Sequence, residues 1–167
     1  MFTSIEGFKT TWSHHSGATK KILAVLTDDS LGQSVADDHR TIGRMAWHIV
    51  QTIPEMGGHT GLKIEGPGEK EPVPVDSSII ADSYTTAADS LLEQVTKDWN
   101  DDSLQTEDSM YGETWKRGLT LRILIDHEVH HRGQLTVLMR QAGLTVPGLY
   151  GPSKEEWGKH GMKEPEI

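Results

Sequence analysis

The chain has 167 residues, a formal charge of −9 and no cysteine. That length suits one domain able to bury a core without covalent staples. The missing thiols exclude a disulfide framework, thiolate metal ligands and a cysteine nucleophile, and the acidic balance argues against a nucleic-acid backbone as partner.

Residues Met1 to Glu6 carry no basic segment leading into an apolar run, and no apolar run approaches membrane-spanning length. The expectation is a soluble cytoplasmic protein. Thr3-Ser4-Ile5-Glu6 fits a capping box, with Thr3 as N-cap. Phe8, Trp12, His15, Thr19, Ile22 and Leu26 then recur at spacings of three and four, which predicts an amphipathic first helix ending at Asp28-Asp29-Ser30.

A second helix is expected over residues 41–56, with Ile42, Met45, Ile49 and Ile53 as its apolar stripe and Pro54 and Gly57-Gly58 as its close. His48 borders that stripe. Residues 57–75 concentrate glycine and proline. They lack the Gly-Lys-Ser/Thr ending and the leading strand of a phosphate loop, so they read as a long surface connection.

Asp76-Ser77 can cap a third helix over 78–99, with Ile80, Tyr84, Ala87, Ala88, Leu91, Leu92 and Val95 facing inward. Asp98, Asn100 and Asp102 match the first positions of a calcium loop, but Ser103 stands where glycine is required and Ser109 where glutamate is. A solvated acidic loop is the better reading. A fourth helix is expected over 114–142, with Gly143 at the left-handed C-terminal position and Pro147 beyond it. Ser153 and Glu156 signal a short last helix holding Trp157. No stretch shows sustained period-two alternation. The expected fold is all-α: a four-helix bundle over residues 1–167, with a long crossover between helices two and three.

The chemistry concentrates in Asp126-His127-Glu128-Val129-His130-His131-Arg132-Gly133-Gln134. His127 and His131 are four apart and share a helix face with Leu124, Leu135 and Leu138, so they point into the bundle. His130, three from His127, falls toward Glu128 and Arg132, a side with fewer leucines; it reads as a supporting or surface residue. Asp126 and Glu128 can each orient an imidazole or lie on a solvated face, and the solvated face is favoured for Glu128. Two imidazoles one turn apart can hold a metal ion if a third ligand joins them. His48 is a candidate, although spacing does not tie it to the pair. His15 reads as a core-edge histidine. His14, His39, His59 and His160 fall on exposed surface or in loops.

Arg44-Met45-Ala46-Trp47-His48-Ile49 and the run from Asp126 to Gln134, with Gly143-Leu144-Thr145-Val146-Pro147-Gly148-Leu149-Tyr150, resemble the DinB family of bacterial metal-dependent proteins over nearly the whole chain. The resemblance implies an up-down-down-up bundle, often a homodimer, with nickel or zinc on His48, His127 and His131. It implies a thiol-dependent transferase or related hydrolase acting on a small molecule, with a low-molecular-weight thiol such as bacillithiol or mycothiol as co-substrate. The alternative is a non-enzymatic, metal- or ligand-binding stress-response protein.

Overall fold

Four α-helices account for half of the chain in the computed structural model, which describes residues 1–164 and 166. The first, α1, spans Ile5–Leu23. Its cap is Ser4 rather than Thr3: the Ser4 hydroxyl accepts the Gly7 N–H at 3.1 Å. A hydroxyl at Ser4 reaches the free N–H groups of the first turn, while Thr3 lies one residue too early. Phe8, Trp12, Thr19 and Ile22 are fully buried along α1. Each large apolar side chain among them contributes about 1.5–3 kcal/mol by leaving water.

Helix α2 spans Ile42–His59, capped by Thr41, whose hydroxyl accepts the Arg44 N–H. Pro54 was expected to help close it but lies inside the helix. A proline removes only its own N–H donor, and the flanking turns continue the ladder. Gly57 also lies inside, where a Cβ would collide with Ile64; the glycine lets the following chain fold back against the helix. That connection is pinned at several points. Gln51 Nε2 donates to the carbonyls of Gly68 and Glu71, and Trp47 Nε1 also donates to Glu71. On the other side Gln94 Nε2 donates to the Lys63 carbonyl, and its Oε1 accepts the Lys63 N–H.

Helix α3 spans Ser77–Asp98 and is capped by Asp76, whose carboxylate accepts the Ser78 N–H at 2.8 Å. Ile80, Tyr84, Ala87, Ala88, Leu91 and Val95 form its buried face, as the periodicity predicts.

The purely helical expectation fails between α3 and α4. Strands β1 (Glu107–Met110) and β2 (Glu113–Lys116) form an antiparallel hairpin, with Glu107 opposite Lys116 and Met110 opposite Glu113. Tyr111 and Gly112 make its two-residue turn at φ of 51° and 85°, the doubly positive pattern that matches strand twist. Four-residue strands are too short to display alternation. The hairpin takes residues 114–116 from the expected fourth helix, and α4 runs Arg117–Gln141. Gly143, at φ 75°, ends α4 in a Schellman motif: its N–H reaches the Arg140 carbonyl, and the Leu144 N–H reaches that of Met139. The tail carries the expected capping box, Ser153 with Glu156, on a short 3₁₀ helix, Lys154–His160.

Helix α1 packs on α3 and α4, and α2 packs on the same two. The buried apolar side chains of all four helices join in one cluster. Among the described residues, no helix is long and apolar enough to cross a membrane.

Candidate metal centre

The packing of α2 on α4 brings together three imidazoles that lie far apart in sequence. His48 Nε2 lies 3.2 Å from His127 Nε2, and His131 Nε2 lies 3.1 Å from the same atom. Ligand atoms of all three residues fall within 4.8 Å of one another. His48 and His127 are half-buried and His131 is 7% exposed. His130 lies outside the cluster on the exposed surface of α4. Asp126 is also exposed, paired with Arg122.

Hydrogen-bond accounting shows that the three neutral rings cannot satisfy one another. The Gln134 side-chain oxygen sits 2.7 Å from His131 Nδ1. An amide oxygen only accepts, so Nδ1 carries the proton and Nε2 presents a lone pair. If His127 Nε2 is protonated, it can donate to His131, and then it has no lone pair left to accept from His48. If it is unprotonated, it can accept from His48, and then two lone pairs face each other between His127 and His131. At most one of the two close contacts holds a proton. A cation shared by all three nitrogens resolves the remaining one. Metal–nitrogen bonds of about 2.0–2.1 Å in a tetrahedral arrangement place neighbouring nitrogens about 3.3 Å apart, close to the spacing found. The donor set fits a divalent ion with affinity for imidazole.

The electrostatics agree. Burial lowers the pKa of His48 to about 4, helped by His127, His131, Arg40 and Arg44. Burial, with His131, His130 and Arg40, likewise takes His127 to about 4. His131 is lowered too, chiefly by burial, although its bond to Gln134 opposes this. Neutral imidazole is the ligating form, so the rings are ready for a metal at neutral pH.

One cavity reaches Gln134, the partner of His131, and another opens onto the cluster at His48. The first, of about 590 Å³, has apolar walls from Val35, Met45, Val137 and Leu138, and reaches Arg40 and Gln134. The other, of about 350 Å³, is polar and includes His48 itself, with Arg44, Gln51, Thr52 and Tyr111. Tyr111 comes from the hairpin turn, and its hydroxyl donates to the Glu55 carboxylate on α2.

Behind the histidines lies a buried polar network around Glu128, a residue that the sequence reading places on a solvated face. Glu128 and Arg132 are each 1% exposed. Glu128 Oε1 accepts from the hydroxyls of Thr19 at 2.7 Å and Tyr84 at 2.9 Å, and stands 3.4 Å from the Arg132 guanidinium. Arg132 also donates to the His15 carbonyl and the Thr19 hydroxyl, and contacts the Tyr150 hydroxyl. Burial raises the Glu128 carboxyl to about 7, against the pull of Thr19, Tyr84 and Arg132. The buried face of α4 reads Leu121, Ile125, Glu128, Arg132, Leu135, Met139, a heptad-like row in which a carboxylate and a guanidinium replace two leucines. Only their partners on α1 and α3 reveal this. Gln134 was also missed; its spacing of three from His131 was the available signal. His15 meets the core-edge expectation, half-buried with Nδ1 3.0 Å from the Tyr150 hydroxyl. His14, His39, His59 and His160 are exposed.

The model of the DinB family matches residues 1–166. The uncharacterized protein YrdA of Bacillus subtilis (strain 168) is 44% identical over 167 residues, the whole of both chains. The crystal structure of a DinB-like protein from Bacillus cereus ATCC 10987 superimposes with a TM-score of 0.87 at 47% identity, covering 90% of this chain and 100% of that one. A second DinB-like crystal structure, YjoA from Bacillus subtilis, superimposes at 0.67 with 21% identity over 86% of this chain and 96% of its own, a likeness of fold.

Proposed function

The chain belongs to the DinB family, and from that premise we propose that it is a divalent-metal-dependent enzyme acting on a small molecule. The observation that carries this reading is the convergence of three Nε2 atoms that hydrogen bonding alone cannot satisfy. His48, His127 and His131 would hold the ion, zinc or nickel, and three protein ligands would leave it able to take a substrate or water, as catalytic rather than structural sites do. Such an ion lowers the pKa of a thiol or a water bound to it.

This chain's own residues supply the rest. Gln134 orients His131 through its Nδ1 proton. Glu128, Arg132, Thr19 and Tyr84 lock α4 against α1 and α3, which keeps the two α4 ligands in register with His48. The two cavities admit a small substrate. The favoured reaction is transfer to or from a low-molecular-weight thiol, since a chain without cysteine must borrow its sulfur nucleophile. A single domain with an up-down-down-up helix course, a homodimeric assembly and a cytoplasmic setting complete the proposal.

Tag-free protein, purified and analysed for metal, tests it. One equivalent of zinc or nickel is expected, lost in His48→Ala, His127→Ala and His131→Ala and kept in His130→Ala. The loaded protein is expected to conjugate a thiol to a model electrophile. Wild-type protein with no bound metal, or metal content indifferent to His48→Ala and His131→Ala, refutes the site. Loaded protein inert toward a panel of thiols refutes the transferase reaction.

A further inference from the structure

The arginines divide into two groups. Of the six in the chain, four pair with carboxylates: Arg117 with Asp108, Arg122 with Asp126, Arg132 with Glu128 and Arg140 with Glu155. Arg40 and Arg44 have no carboxylate within ion-pair distance among the described residues. These two are the ones beside the histidine cluster. In a chain carrying 25 acidic residues against 16 basic ones, two guanidinium groups without an ion-pair partner, one in each of these cavities, invite an explanation.

Their surroundings supply one. Arg44 shares a cavity with His48, and Arg40 lines the neighbouring cavity with Gln134, the residue that orients His131. Arg44 is held by a neutral partner: its Nη1 donates to Gln51 Oε1 at 3.1 Å, and Gln51 is fixed in turn by the Gly68 and Glu71 carbonyls. An amide orients a guanidinium without cancelling its charge, and most of its N–H donors stay free. Glu55 in the same cavity accepts from the Tyr111 hydroxyl and lies 3.3 Å from His59, which orients its carboxylate without cancelling its charge.

We propose that Arg40 and Arg44 recognise an anionic group, a carboxylate, sulfonate or phosphate, on the small molecule that binds the ion of the histidine centre. This rests on the metal reading above and adds a substrate class to it: a negatively charged ligand. The planar guanidinium suits such groups because it offers paired donors in one plane. Asp38 lines the cavity of Arg40, and Glu55 and Glu69 line that of Arg44, so a cationic ligand is the competing outcome.

Tag-free protein loaded with one equivalent of Co²⁺ provides the test. It is titrated at low ionic strength with 3-mercaptopropionate, 2-mercaptoethanol and cysteamine, which share a thiol and differ in charge. The readout is the sulfur-to-cobalt charge-transfer absorption. The anionic thiol is expected to bind about tenfold or more tightly than the neutral one, the change associated with a charge-assisted hydrogen bond, and cysteamine most weakly. Arg40→Gln and Arg44→Gln are each expected to erode the preference, and the double variant to erase it, with cobalt content unchanged. Both residues are exposed, and cobalt content reports that each variant is folded. Equal affinities, or a preference for cysteamine, overturn the proposal. So does an anionic preference that survives in the double variant, since that belongs to carboxylate binding at the ion itself. Stoichiometric cobalt with no response to any thiol overturns it while leaving the metal site standing. Failure to bind cobalt overturns the metal reading and this one together.

Discussion

Gln134 sets the tautomer of His131: its amide oxygen lies 2.7 Å from Nδ1, which leaves Nε2 as a lone pair facing His127 and His48. The residue making this bond is three positions further along the same helix and is not itself in the cluster. Its loss is expected to free the ring and to return some of the protons to Nε2. Replacing Gln134 by Leu is therefore expected to lower metal affinity about 10–100-fold, the range for residues that orient a ligand. Competition with a chromophoric chelator measures this; an unchanged dissociation constant would show the bond to be incidental.

The ionisable groups at the site give the metal-free protein a signed pH dependence. His48 and His127 fall from 6.5 in the unfolded chain to about 4 in the fold. Between those values the unfolded chain binds more protons, so their contribution is present above 6.5 and is lost as pH falls toward 4. Glu128 acts in the opposite sense. Its carboxyl rises from 4.5 to about 7 on burial, so its contribution is present below 4.5 and is lost as pH rises through 7. The histidines outnumber it, and stability in chelator is expected to fall on acidification. His48→Ala is expected to flatten that fall and Glu128→Gln to steepen it. Urea midpoints between pH 4 and 8 decide; parallel profiles for all three proteins would contradict the assignment.

Glu128 also provides the buried counter-charge for Arg132. Glu128→Ala leaves a guanidinium 1% exposed with no carboxylate beside it and is expected to cost about 3–5 kcal/mol. Glu128→Gln keeps an acceptor for Thr19 and Tyr84 and is expected to cost less. Denaturant unfolding at pH 7 gives both values, and an alanine variant as stable as wild type would show the ion pair to be dispensable.

The start of α4 tolerates only glycine at position 118. A Cβ there collides with the Phe2 carbonyl, and the Gly118 carbonyl accepts the Phe2 N–H at 2.9 Å. Gly118→Ala is expected to displace the N-terminal segment and to destabilise by about 1–3 kcal/mol. Phe2 packs edge-on against Phe8, so aromatic signals in the near-ultraviolet circular dichroism should weaken with it. A gain in stability from the better helix former would contradict this.

Much of the helical frame was legible because caps and apolar periods are local. Asp76, Gly143 and the Ser153–Glu156 pair stand where the rules of helix ends place them. The hairpin was not legible, since Tyr111-Gly112 is a weaker turn signal than asparagine-glycine and its strands have four residues each. Glu128 and Arg132 were misplaced for a different reason. Hydrophobic periodicity scores them as solvent-facing, and their partners lie 109 and 113 residues away on α1. His48 stood on the right edge of α2, but no rule of spacing links one helix to another.

That separation has a bearing on how the protein comes to exist at all. His48 and His127 are 79 residues apart. An ion gripping both is a cross-link between α2 and α4, and in the unfolded chain it must close a loop of that length against chain entropy. The disordered chain keeps only the local His127–His131 pair, so it competes poorly for the ion. If the centre binds its ion as proposed, ligand linkage would stabilise the native state by about 2.7 kcal/mol when free metal exceeds its dissociation constant a hundredfold. Newly made chains in a metal-starved cell would spend more time open to proteolysis, and the abundance of the protein would follow the supply of its ion.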